Sequence, residues 1–201
     1  IDSDGDQDLI VFGGHKIGYY PESYSTYILE NKNSEFIINN ELGMGLEEIG
    51  LVSDAVEIDY NNDGKLDIVT VGEWSIPHVL LFDGSTLKLD TPSEMEGLSS
   101  WWNTIKAGDL NGDGRMDLIL GSFGDNNKFH PSEKKPLEIF GRDFDGSGTN
   151  DVVLAKHYND KVVPTRGREC SSQQIPEIKD KFPTYNEFAL AGIEDILGED
   201  N

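Results

Sequence analysis

The residues of this chain best suited to chemistry are acids, and they are spaced. Asp109, Asn111, Asp113 and Asp117 fall at positions 1, 3, 5 and 9 of an oxygen-rich loop, with Gly114 at position 6, where the chain must turn sharply. Arg115 at position 7 offers its backbone carbonyl. Side chains at alternate positions plus one carbonyl supply the oxygen ligands that hard cations such as Ca²⁺ take in sets of six to eight. An apolar run, Leu118-Ile119-Leu120, follows at once.

The frame recurs. Asp59, Asn61, Asp63, Gly64, Lys65 (through its carbonyl) and Asp67 form a full copy. Asp143, Asp145, Ser147, Gly148, Thr149 (again by its carbonyl) and Asp151 form another, with Ser147 at position 5. The chain opens inside a fourth, whose Asp2, Asp4, Gly5, Asp6 and Asp8 match positions 3, 5, 6, 7 and 9. Asn-Gly and Asp-Gly turns favour hairpins without any metal. That accounts for one turn, but not for acids kept in register four times. We therefore expect three to four Ca²⁺ ions.

These loops are not EF-hands, which need a bidentate acid at position 12 and a helix on either side. Position 12 is Thr70, Leu120 or Leu154. The flanks are β-rich and partly alternating, as in Val56-Glu57-Ile58 before one loop and Ile68 to Val71 after it. Each loop is expected to join two strands, with the position-9 aspartate serving as both last ligand and first strand residue.

The pattern D-x-[DN]-x-[DNS]-G-x-x-D-[LIV] resembles the calcium loop of FG-GAP (integrin-α-like) β-propeller repeats, over roughly residues 1–165. Trp101-Trp102-Asn103, Gly121 and the segment Arg166 to Pro176 resemble the secreted bacterial branch related to cartilage acidic protein. The resemblance implies an all-β fold, a ring of four-stranded β-propeller blades with calcium between the first two strands of a blade. It also implies binding or adhesion as the common function.

The elements that must position the loops can be read in order. Expected strands are Leu9–Phe12, Tyr24–Leu29 and Glu35–Ile38, then Asp54–Ile58, Leu66–Val71, His78–Phe82 and Thr86–Leu89, a complete blade. Trp102–Ala107, Leu118–Leu120, Leu137–Gly141, Val152–Ala155 and Lys161–Val163 follow. The interval between the last two position-9 aspartates is the shortest, so the third blade is abbreviated or the fourth loop rides on an inserted hairpin. After Pro164 the pattern turns helical. Pro176–Phe182 reads as a short helix, and Thr184 with Glu187 as a capping box opening one helix that ends near Gly198. We expect residues 1–165 to form blades and 166–201 a helical cap or insertion. Too few blades are present to close a ring, so the chain reads as a fragment of a larger ring, or an open stack completed by another copy.

Composition narrows the partners. Of 201 residues, 38 are acidic and 16 are Lys or Arg, giving a formal charge of −22. Thirteen of the acids sit in the four loops, so four bound Ca²⁺ would bring the charge to −14. The remainder argues against nucleic acid and anionic membranes, which need clustered cations. No apolar stretch approaches the roughly 20 residues of a membrane helix, so membrane insertion is not expected. Cys170 is the single cysteine, and no internal disulfide is possible; it reads as a half-buried structural thiol. Calcium sites of extracellular modules fill in the range of about 10⁻⁴ to 10⁻³ M, which places the expected setting outside the cell, on its surface or in the periplasm.

Trp74, Trp101 and Trp102, with Tyr19 and Tyr20, are residue types that stack on sugars, but indoles between sheets are commonly buried packing, and we read them so. The connectors near Gly43–Gly50 and Gly124–Lys135 are the expected binding surface. His15, His78, His130 and His157 are scattered, and no H-E-x-x-H or G-x-S-x-G motif is present. Arg142, Arg166 and Arg168 read as partners of the surrounding acid. The sequence thus predicts a non-catalytic, calcium-stabilised segment binding a glycan or an extracellular protein. The alternative is part of a propeller-fold polysaccharide lyase or hydrolase, and a purely architectural spacer is a third reading.

Overall fold

The computed structural model describes residues 1, 4–46, 49–124 and 126–198. The chain forms two compact units. The first comprises Ile1–His15 and Glu22–Gly124, the second Lys16–Pro21 and Asp125–Asn201.

The first unit holds three antiparallel sheets whose strands pair in chain order. β1 (Leu9–Val11), β2 (Tyr27–Lys32) and β3 (Glu35–Ile38) form one; β4 (Leu51–Ile58), β5 (Asp67–Glu73), β6 (His78–Phe82) and β7 (Leu87–Asp90) form the next; β8 (Trp102–Gly108) and β9 (Asp117–Ser122) the last. The β4–β7 sheet buries both faces, and strand alternation sorts its side chains between them. Ile68, Leu80 and Leu87 join Ile28, Leu42, Leu46 and Ile49 in one core. Ile58, Val69, Val71 and Val79 join Ile105 of β8 in the other, with Trp102 packed against it. β5 is therefore an almost continuous apolar strand, buried from Asp67 to Gly72.

The β1–β3 sheet faces the first core with Ile10 and Ile28. Its other face carries Leu9, Val11, Tyr27, Phe36 and Ile38, all exposed. β2 runs further than expected, to Lys32, and the turn is only Asn33-Ser34, both with positive φ (57° and 70°). Two left-handed residues match the twist of a two-residue hairpin, so strand pairing persists right up to the turn.

The second unit holds β10 (Glu138–Arg142), β11 (Asp151–Tyr158) and β12 (Lys161–Pro164), again antiparallel in order. Only the β4–β7 sheet has the expected four strands among the described residues. The fourth loop sits in a sheet of its own, so it is the third expected blade that is abbreviated, to β8 and β9. Four short helices follow: α1 (Arg168–Gln174), α2 (Ile178–Lys181), α3 (Tyr185–Leu190) and α4 (Ile193–Leu197). Ile175, Ile178, Phe188, Ala191 and Ile196 pack with Phe144 and Val153, so the helices cover one face of this sheet. All-β architecture with a small helical segment is thus what the chain adopts.

Two helical expectations change. The single helix from Thr184 to Gly198 breaks at Ala191-Gly192, where both residues are extended. Asp195 accepts the Gly192 N–H at 2.8 Å and restarts the helix as its cap. The capping box at Thr184 and Glu187 forms as read. α1 carried no apolar periodicity; its buried residues are Ser171 and Ser172, and Cys170 beside them is exposed rather than half-buried.

Asp54 ties β4 to β8. It accepts from the Ile105 N–H (3.0 Å), the Thr104 hydroxyl (2.8 Å) and Lys106 Nζ (3.4 Å). The Ile105 N–H, followed by the Thr104 hydroxyl and other donors, outweighs the cost of partial burial and draws the Asp54 pKa down to about 2. A depressed carboxylate pKa stabilises the fold above the unfolded value of about 4, and that stability is lost as pH falls toward 2. Asp54→Asn should therefore cost about 1–2 kcal/mol at pH 7, allowing for solvent screening, and almost nothing near pH 2. Equal loss at both pH values in urea melts would contradict the tie.

Core and surface positions on neighbouring strands give a second check. Ile105 is 0% exposed and Ile119 is 50% exposed. Ile105→Ala should cost about 2–5 kcal/mol and Ile119→Ala less than about 0.5 kcal/mol. Similar costs for the two would overturn the assignment of the second core.

Candidate metal centres

Three of the loops close in the same way, and the closure follows from their residue types. The position-1 carboxylate gathers the amides of the turn. Asp59 accepts from Asp63 N and Gly64 N, both at 2.9 Å. Asp109 accepts from Asp113 N at 3.1 Å and Gly114 N at 2.9 Å, and Asp143 from Ser147 N and Gly148 N at 2.9 Å. The position-3 side chain accepts the position-5 amide in each: Asn61 from Asp63, Asn111 from Asp113, Asp145 from Ser147. Such local bonds are what Asp and Asn offer turns. The position-6 glycines sit at φ of 85°, 82° and 89°, where a side chain is strained.

The position-9 aspartate does two things at once. It begins β5, β9 or β11, and one of its oxygens accepts the position-2 amide: Asp67 from Tyr60 (3.0 Å), Asp117 from Leu110 (2.9 Å), Asp151 from Phe144 (3.1 Å). Asp67 is fully buried, and its second oxygen accepts the Phe82 N–H at 2.8 Å from β6. Each loop joins consecutive antiparallel strands, as expected.

The loops differ in what surrounds position 5. Lys65 Nζ lies 3.0 Å from Asp63, and Arg115 Nη2 lies 3.0 Å from Asp113. These side chains hold both carboxyls below the usual carboxylate range and draw them into surface ion pairs. In the third full loop position 7 is Thr149, whose hydroxyl is 3.2 Å from the Ser147 hydroxyl, and no cation intrudes at that position. Here, alone among the described residues, three carboxylates converge: oxygens of Asp143, Asp145 and Asp151 lie within 4.8 Å of one another. Burial raises the Asp151 pKa, while the Ser147 side chain, then its amide, lowers that of Asp145. Burial without a countercharge is what a divalent cation would relieve. The donors are all oxygen, which suits Ca²⁺ over thiophilic metals.

The opening loop is only partly described. Asp2 lies outside the described residues. Asp4 accepts the Asp6 N–H at 3.0 Å, and Asp8 takes the Asn31 N–H at 3.0 Å and pairs with the Ile1 ammonium. Asp8 thus holds β2 as Asp67 holds β6.

The other candidates separate clearly. Trp102 is core, its indole N–H donating to the Leu98 carbonyl at 2.9 Å. Trp74 and Trp101, read as packing between sheets, instead join neither core and stack with Phe123. Phe123 was missed for want of any pattern around it. Tyr19 and Tyr20 lie in the second unit. His157 Nε2 comes within 2.9 Å of Glu138 Oε1, and Glu138 lines a 450 Å³ cleft with Lys161, Glu194 and Asp195. His78 is half-buried, and burial lowers its pKa.

Asp143→Asn removes the acceptor that gathers Ser147 and Gly148 and one of the three converging carboxylates. It should weaken Ca²⁺ at this loop about tenfold or more in calorimetry, the loss expected for one charged ligand. Calcium uptake identical to that of the unaltered chain would rule this loop out as a metal centre.

A family model described as FG-GAP-like repeat matches residues 59–120. No curated protein and no solved structure matches the chain. The matched span holds two of the three closely similar loops and the strands they enter, from the first ligand position of one to the end of the apolar run after the next. Residues 59–120 are an FG-GAP-like repeat.

Proposed function

We propose that this chain is a calcium-stapled, non-catalytic stack of antiparallel sheets, propeller-like in its repeat, that binds a glycan or protein outside the cell. One observation carries the reading. The same hydrogen bonds close three loops, each at the entrance of a strand, and they leave oxygen-only donor sets where acids would otherwise repel one another. Asp143, Asp145 and Asp151 would hold one ion, aided by Ser147 and the Thr149 carbonyl. Asp59, Asn61, Asp63, the Lys65 carbonyl and Asp67 would hold another, and Asp109, Asn111, Asp113, the Arg115 carbonyl and Asp117 a third. Asp4, Asp6 and Asp8 belong to a fourth. When bound, the ions supply charge neutralisation.

The FG-GAP-like match supports a binding or adhesion segment of the secreted kind. No helix of the described residues is long and apolar enough to cross a membrane. The exposed apolar face of the β1–β3 sheet supports a further sheet as partner, from the rest of a propeller or another copy. In the second unit the equivalent need is met by the helices, as capping elements do in repeat stacks.

A second reading, a polysaccharide lyase or hydrolase with structural calcium, is favoured by the His157–Glu138 pair beside the cleft. It requires product release from polysaccharide that His157→Ala abolishes; release of unsaturated or reducing ends would favour the enzyme.

If calcium is present at 100 times its dissociation constant, each site stabilises the fold by about 2.7 kcal/mol. For a chain of this size that is a shift of roughly 5–10 °C in melting temperature per occupied site. Excess chelator should therefore lower the melting temperature by at least that much, and added Ca²⁺ should restore it. An unchanged melt would remove structural calcium.

A further inference from the structure

The first unit carries one aromatic group that neither of its cores uses. Trp74 follows β5, Trp101 precedes β8 and Phe123 follows β9. Their rings form a row: the Trp74 and Trp101 centroids are 4.9 Å apart at 36°, and those of Trp101 and Phe123 are 5.4 Å apart at 37°. Both indoles are half-buried and Phe123 is 49% exposed. Trp102, next in sequence, points the other way into the core. One neighbour therefore anchors the segment while the other is presented at the surface.

The row is fixed from below by main-chain bonds between its three segments. Ser100 N donates to the Ser75 carbonyl at 3.1 Å, and Phe123 N to the Trp101 carbonyl at 2.9 Å. Trp74 itself has φ of 59°. A bulky residue in that left-handed region is strained, and such strain persists where the surroundings over-determine it, typically at ligand sites. Side chains that merely fill space do not require it. The Trp101 indole N–H makes no hydrogen bond among the described residues, leaving a donor at the middle of the row.

The chemistry of the occupant follows from the rings and their neighbours. Aromatic faces carry negative potential and attract electropositive C–H groups. The C–H face of a pyranose offers these in a flat array with hydroxyls around it. Ser75, Ser100 and Asn103, adjacent to the rings, are hydroxyl and amide partners for such a rim, and binding sites pair aromatic walls with a few polar groups in this way. The three segments contain no Lys or Arg to receive an anionic sugar, and the chain carries −22 overall. We propose that Trp74, Trp101 and Phe123 form a preorganised platform for neutral carbohydrate, with pyranose rings stacked along the row. This rests on the binding reading above and places the contact on the aromatic row, not on the connectors near Gly43–Gly50 or Gly124–Lys135.

The test uses the 201-residue chain in calcium buffer, titrated with cellohexaose, xylohexaose, mannohexaose and maltohexaose and followed by tryptophan fluorescence and calorimetry. Polygalacturonate and tetramethylammonium serve as the anionic and cationic comparisons. At least one neutral hexasaccharide should shift the emission. Trp101→Ala and Phe123→Ala should each weaken it about tenfold or more, and Trp101→Phe should retain binding within about threefold. Phe123 is half-exposed, so its variant tests the platform even where Trp101→Ala fails to fold. The platform is wrong if no neutral hexasaccharide binds, if only the uronate or the cation does, or if binding survives both alanine variants. In the last case glycan binding by the chain stands and only its location falls. The calcium reading is judged separately, by the chelator melt.

Discussion

The fold depends on buried and half-buried aspartates that must be satisfied. A carboxylate taken out of water is costly unless it is hydrogen-bonded or paired. Asp67, fully buried, meets this by accepting Tyr60 N from its own loop and Phe82 N from the next strand. One side chain thus fixes the loop exit, the start of β5 and the position of β6. Asp117 and Asp151 repeat the first half of this arrangement. Strand register then follows, because a strand whose first residue is pinned cannot slip by one place without turning its apolar side chains outward.

That register is what builds the two cores of the first unit. With Asp67 fixed, Ile68 faces one core, Val69 and Val71 the other, and Val79 and Leu80 of β6 follow suit. The sheet sits between two apolar layers, and Asp54 adds a polar tie on the β8 side. Function is positioned by the same constraint. The ends of β5 and β9 and the start of β8 carry Trp74, Phe123 and Trp101, so the loops that organise acids at one end of the strands also set the aromatics at the other.

Much of this was legible in the residues. The acids at 1, 3, 5 and 9, the glycine at 6 and the strand after Asp67, Asp117 or Asp151 follow from spacing alone, since local side-chain bonds and alternation act over a few residues. The capping box at Thr184 was legible for the same reason. Less local matters were not. That Lys65 and Arg115 draw Asp63 and Asp113 into ion pairs, leaving Asp143, Asp145 and Asp151 as the converging set, depends on side-chain direction, not on position in the loop. The break at Gly192 hides because the apolar face continues across it. The exposure of Cys170 and the burial of Ser171 and Ser172 reverse what residue type suggests, since α1 packs by its small side. The separation of Trp102 from Trp101 is a matter of which face each residue takes, and the disturbed register between Trp102 and Thr104 decides it.

The central claim is that a divalent ion pins each strand entrance through the position-9 aspartate. Amide hydrogen exchange at Tyr60, Leu110 and Phe144, measured with and without Ca²⁺, reads it directly, because these are the N–H groups that Asp67, Asp117 and Asp151 accept. The account predicts that Ca²⁺ slows exchange at all three, together with the first amides of β5, β9 and β11. Exchange at these amides that is indifferent to Ca²⁺, in a chain that remains folded, would contradict it.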